Sequence, residues 1–133
     1  MSNVRLFTYG SLAQDSEEGI VILTAESGGS VYMTLHDVSG SDYQVPSGYT
    51  LYITGIAFEN ATYPFIMGYG DDGVAKDNVA PPTNWVELTS RLYPAANTGK
   101  LSTFIVIPEG KYPCVEGISA ANYLTFFSIK IQN

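Results

Sequence analysis

The chain has 133 residues, with six Lys and Arg against thirteen Asp and Glu, so its formal charge is −7. Charged residues make up 14% of it, well below the usual ~25%, while the apolar share of 45% is ordinary. This composition excludes a disordered chain, which needs low hydrophobicity and high charge. It also excludes a coiled coil and the basic footprint of a nucleic-acid binder. The length suits one core, and the single Cys114 rules out an internal disulfide.

In chain order, residues 1–19 read as an N-terminal arm or edge strand, with Val4, Arg5, Leu6 and Phe7 as its docking residues. Residues 20–133 read as one sandwich domain. The opening residues lack the charged start and apolar stretch of a signal peptide. The longest aliphatic runs, Ile20–Leu23 and Phe104–Ile107, have four residues, far short of the ~20 needed to span a bilayer. Ile20–Glu26 and Ser30–Leu35 flank Ser27-Gly28-Gly29, which reads as a tight hairpin because glycine adopts positive φ cheaply. Tyr49–Phe58, Ser102–Ile107 and Tyr123–Ile131 are rich in β-branched and aromatic residues. In the last of these, Thr125, Phe127, Ile129 and Ile131 share one face, while Phe126, Ser128, Lys130 and Gln132 share a face whose far end is expected in solvent. Weaker runs at Val4–Tyr9, Tyr63–Tyr69 and Tyr112–Ile118 bring the expected count to about eight strands. Such spacing indicates an antiparallel sandwich or barrel.

Two segments interrupt the pattern. Asp71 to Asn84 is the most loop-like. Beyond it, Trp85, Leu88 and Leu92 have helical spacing behind a capping box of Asn84 and Glu87, which predicts one short helix near 84–92. The same residues fit a strand with Val86, Leu88 and Ser90 inward. Val45-Pro46-Ser47-Gly48-Tyr49 and Ile107-Pro108-Glu109-Gly110-Lys111 share a Pro-x-Gly core. Proline presets the first turn position and glycine takes the left-handed one, so each reads as a hairpin corner.

Catalytic chemistry has little material. His36 is the lone histidine, beside Asp37 at a strand end, where a surface or cap role suffices. Cys114 follows Pro113 in an apolar run and is expected to be buried and inert. Asp71, Asp72 and Asp77 offer oxygen ligands for calcium, but without the EF-hand order, and Asp72-Gly73 is also an ordinary turn pair. No catalytic, cofactor-binding or metal-ligating residue is assigned, and no enzyme activity or cofactor is expected. The aromatics are the stronger hint. Tyr63, Tyr69, Trp85 and Tyr93 lie in or beside expected loops, where they either roof the core or contact a partner or ligand.

The stretch Tyr43-Gln44-Val45-Pro46-Ser47-Gly48-Tyr49-Thr50-Leu51-Tyr52-Ile53-Thr54, the second turn Ile107-Pro108-Glu109-Gly110 and the closing alternating strand Leu124–Ile131 together resemble small phage virion proteins. That resemblance spans roughly residues 43–131, departing at Tyr49 where lysine is common. It implies an all-β, antiparallel jelly-roll sandwich, often a homotrimer, that decorates and cements a capsid by binding the major capsid protein. The implied place is the outer surface of the virion, after synthesis in the host cytoplasm, with no nucleic-acid or membrane partner. The neighbouring reading is a receptor- or carbohydrate-binding head of a tail fibre, with the loop aromatics as a sugar platform. A cupin-like enzyme on a similar roll usually needs several metal-binding histidines, and this chain has one.

Overall fold

The computed structural model describes residues 19–26, 31–59, 64–75, 78–93, 98–117 and 123–133. Along them run eight strands: β1 (Gly19–Glu26), β2 (Tyr32–Thr34), β3 (Tyr49–Glu59), β4 (Ile66–Gly70), β5 (Val86–Glu87), β6 (Gly99–Ile107), β7 (Tyr112–Glu116) and β8 (Tyr123–Gln132). Strand β1 pairs with β8, β2 with β7, β3 with β6 and β4 with β5, all antiparallel. The first half of the chain therefore runs back along the second half as one long double ribbon. Two further pairings, β3 with β8 and β4 with β7, close the ribbon into two four-stranded sheets. The first has the order β1-β8-β3-β6 and the second β2-β7-β4-β5. Every consecutive pair of strands except β4 and β5 lies in different sheets. The docking residues Val4 to Phe7, the run Val4–Tyr9 and the Gly-Gly turn all lie outside the described residues.

One core joins the sheets. The first contributes Val21, Leu23, Leu51, Ile53, Ile56, Phe58, Ile105, Ile107, Leu124 and Phe126; the second contributes Met33, Met67 and Val115, with Phe65 just before β4. Full burial of one such aliphatic side chain contributes about 1.5–3 kcal/mol relative to exposure. The alternation seen in the sequence is visible directly in β1, where Val21, Leu23 and Ala25 are buried and Ile20, Thr24 and Glu26 are not.

Three expectations change. Strands β1 and β2 do not form a hairpin: β1 spends its hydrogen bonds on β8 and β2 on β7. Only a Thr24–His36 bridge links their neighbourhoods, with reciprocal N–H···O=C bonds of 2.8 Å. The expected helix at 84–92 is also absent, and the described residues contain no helix. Asn84 takes φ +53°, a conformation that asparagine tolerates. The N–H groups of Leu88 (2.9 Å) and Thr89 (3.3 Å) donate to the Met67 carbonyl on β4 rather than to helical partners. The alternative strand register fails too, since Val86, Leu88 and Ser90 are exposed while Trp85, Thr89 and Leu92 are half-buried.

The alternation along β8 sorts its two faces. Leu124, Phe126 and Ser128 point into the core, and Thr125, Phe127, Ile129 and Ile131 point out. Ser128 is tolerated inside because its hydroxyl donates to the Val21 carbonyl at 2.7 Å. Lys130 closes the end of the sandwich with its ammonium 5.7 Å from the centroid of the Tyr49 ring.

Third, the two Pro-x-Gly turns connect sheets rather than forming hairpins. Gly48 and Gly110 take φ +84° and +77°, and the N–H groups of Tyr49 and Lys111 donate to the Pro46 and Pro108 carbonyls. The turns lie against each other. The Val45 N–H donates to the Lys111 carbonyl (2.9 Å), the Gly110 N–H to the Val45 carbonyl (2.8 Å) and the Gly48 N–H to the Glu109 carboxylate (2.5 Å). The weak echo in the sequence thus marks two corners stacked at one end of the sandwich.

Candidate interaction surface

The outer faces of the two sheets differ. On β4, Met67 points inward, so Gly68 and Gly70 face out and leave a furrow without side chains. The chain fills it from residues 81–85. A Cβ at Gly68 would lie 2.6 and 2.9 Å from ring carbons of Trp85, and one at Gly70 would lie 2.5 Å from Pro82 Cγ. Trp85 meets the Tyr32 ring edge-on at 5.5 Å and 80°.

Polar ties hold this cover down. The Asp72 carboxylate accepts from the Thr83 N–H (2.8 Å) and hydroxyl (2.7 Å). Asp71 accepts from Asn84 (2.7 Å) and Lys111 (2.5 Å). These bonds hold both carboxyls below their ordinary range. The Thr34 hydroxyl accepts from the Val74 N–H, and Tyr32 and Asn78 exchange backbone bonds, which shields the β2 edge. Asp71 and Asp72 are therefore occupied as loop fasteners, and Asp77 lies outside the described residues. No group of three potential metal ligands occurs among the described residues.

Under this cover Cys114 is wholly buried although it faces outward between Thr34 and Gly68. Burial pushes its thiol up to about 12, which makes it a poor nucleophile. The cover is imperfect in its polar atoms. Trp85 Nε1 and Glu116 Oε2 are buried without hydrogen-bond partners. Burial, with Glu87 nearby, raises the Glu116 carboxyl.

The outer face of the first sheet carries an apolar band with no such loop packed on it among the described residues. Its register aligns Ile20, Ile129, Tyr52 and Val106 across all four strands. A second row brings Ile22 to Phe127 and then to Gly55 and Ser102. Phe104 rises between the rows, 69% exposed, with its ring 5.7 Å from that of Tyr52. Ile20, Val106 and Phe127 are each more than a third exposed. A β-bulge at Ile53/Gly55 places the glycine on this face, and among the described residues nothing outside its chain neighbours approaches its Cβ position closer than 3.8 Å. The result is a dent beside Phe127. At one end of the face, Ala57, Glu59, Lys100, Tyr123 and Thr125 border a cavity of about 290 Å³.

The residues singled out from sequence scatter over this frame. Tyr69 is half-buried against the core, Trp85 is the roof over Gly68, and Tyr93 is exposed. Tyr63 lies outside the described residues. His36 is half-buried with Nε2 3.0 Å from Asp42 Oδ1, a local tie between neighbouring strand ends. The aromatics that sequence reasoning missed are Tyr52, Phe104 and Phe127. Their signal was present: Ile20–Leu23 and Phe104–Ile107 are apolar at every position, which marks strands with two apolar faces.

Comparison of the chain with family models, with curated proteins and with solved structures gives no match.

Proposed function

We propose that the chain is a structural virion protein, a jelly-roll sandwich that decorates a phage capsid and cements neighbouring capsid subunits from outside. The observation that carries this reading is the strand order. A double ribbon closed into β1-β8-β3-β6 over β2-β7-β4-β5 supports reading the sandwich as an eight-stranded roll of two Greek keys. That architecture recurs in viral capsid and lectin domains. The sequence resemblance to small virion proteins at Val45–Tyr49 and Ile107–Lys111 falls on the two stacked corners of the roll.

The surface chemistry is compatible with cementing. A lattice clamp works by area and shape, and a face with few charges loses little on desolvation. A net charge of −7 gives packaged DNA nothing to hold, which favours the outer side of the shell. Reconstitution with expanded capsids of the parent virus tests the reading. Saturable, stoichiometric binding that raises the temperature of shell disruption is expected; absence of binding overturns it.

A further inference from the structure

We propose that two copies of this chain pair face to face through the outer surface of the first sheet. This goes beyond the capsid reading and stands whether or not the chain binds a shell.

The first ground is the inverted polarity of the second half of β8, beyond the core residues Leu124 and Phe126. Its inner side ends in Ser128 and Lys130, while its outer side carries Phe127, Ile129 and Ile131. A strand destined for water on one face carries its polar residues there. Here they sit inward, with Ser128 satisfied by Val21, so the outer side is composed as a second buried face.

Area and charge name the occupant. The band leaves roughly 500 Å² of mainly apolar surface in water, within the size range at which such patches on monomers are often functional. Doubled, that is on the order of 1,000 Å², the threshold for a specific interface. Two chains of charge −7 repel wherever carboxylates meet, yet the band from Ile20 to Val106 contains no charged side chain. Among the described residues, Glu26, Glu59 and Lys100 stand on this face at one end of the sheet. A strongly charged partner finds nothing to pair with here, whereas a second copy finds no repulsion.

Shape supplies the register. Phe104 protrudes, and the Gly55 dent lies opposite Ser102, two residues along the same face of β6. In a two-fold pair each partner offers the same patch. An axis lying in the interface, midway between Phe104 and Gly55, seats each copy's Phe104 in the other's dent. Sheets stacked this way lie about 10 Å apart, as in any sandwich. Closed pairing of this kind yields even-numbered assemblies, not an isolated trimer.

Native mass measurement and sedimentation of the full chain, up to about 100 µM, test the proposal. The wild type is expected to be a dimer, or an even multiple. Phe104→Glu is expected to weaken association at least tenfold, and Gly55→Val, which fills the dent, several-fold. Both substitutions fall where the fold has room, and circular dichroism establishes that the variants are folded. Val79→Glu, on the exposed loop between β4 and β5, is expected to leave the mass unchanged. A monomeric wild type overturns the proposal, as does a trimer or any oligomer indifferent to Phe104→Glu. A Phe7→Cys/Phe104→Cys monomer that cross-links within one chain assigns the face to the N-terminal segment and also overturns it. If a Phe104→Cys thiol is protected from labelling only on shell binding, the face belongs to the capsid; self-pairing then falls while the capsid reading stands.

Discussion

The outer face of the β2-β7-β4-β5 sheet is closed by residues 81–85 of the same chain, whereas the outer face of β1-β8-β3-β6 presents Phe104, Val106, Ile20 and Phe127 to water. Both faces contain a glycine where a side chain is missing, although the covered face also carries Thr34 and Glu116. At Gly68 the gap is filled by Trp85; at Gly55 nothing among the described residues comes closer than ordinary contact. The difference teaches that a glycine in a strand marks either a contact already made or one left open. The surroundings of its Cβ position tell the two apart.

The largest expected effect breaks the comparison at its glycines. Gly68→Val drives a side chain into Trp85 and the Val86 backbone, and is expected to cost about 3 kcal/mol or more in urea denaturation. Gly55→Val meets only distant neighbours and is expected to change stability by less than about 1 kcal/mol when measured at low concentration. Equal costs at the two sites would remove the distinction.

Trp85→Ala comes next. Loss of a half-buried ring over Gly68 is expected to cost about 2–3 kcal/mol. It also opens Cys114, so the thiol, inert in the wild type, should react with an aromatic disulfide reagent many times faster in the variant. If the reaction rate stays unchanged, the loop is not the cover described.

The pH effect is smaller and has a defined sign. The Asp71, Asp72 and Asp37 carboxyls are held low by hydrogen bonds from Lys111 and Asn84, from Thr83, and from Ser39 and Ser41, respectively. A lowered carboxyl stabilises the fold above its unfolded value, and that contribution is lost as pH falls through the folded value. Below about pH 4 the loop over the second sheet is expected to loosen first, with the fluorescence of Trp85, the chain's single tryptophan, as the reporter. Asp71→Asn should flatten this acid limb.

The smallest effect is at Glu116, whose carboxyl is raised by burial beside Glu87. There the sign reverses: protonation favours the fold, and stability is lost as pH rises through the folded value. Glu116→Gln is expected to raise the Tm slightly at pH 7, with less gain in acid.

Much of the strand framework was legible because alternation at Val21-Leu23-Ala25 and the turn chemistry at Pro46–Gly48 and Pro108–Gly110 are local properties. What could not be read was long-range. The Ser27-Gly28-Gly29 turn signal said nothing about β1 preferring β8, a partner a hundred residues away. Trp85, Leu88 and Leu92 have helical spacing, but the furrow at Gly68 and Gly70 captured the indole and β4 took the backbone donors. Which face of β8 turns inward was not legible, because hydrophobicity alone ranks Phe127-Ile129-Ile131 as the inner set. The fold overrides that ranking through one hydrogen bond at Ser128 and one cation–π contact at Lys130. The aromatics of the candidate surface were hidden for the same reason, since residues on an interacting strand face look like core.

The central claim is that one outer face is complete within the chain and the other is completed by a second copy. The most direct measurement is the thermal midpoint across a hundredfold range of protein concentration. Because association stabilises the folded chain by mass action, the wild-type midpoint is expected to rise with concentration, while that of Phe104→Glu stays constant. A wild-type midpoint independent of concentration would contradict the account.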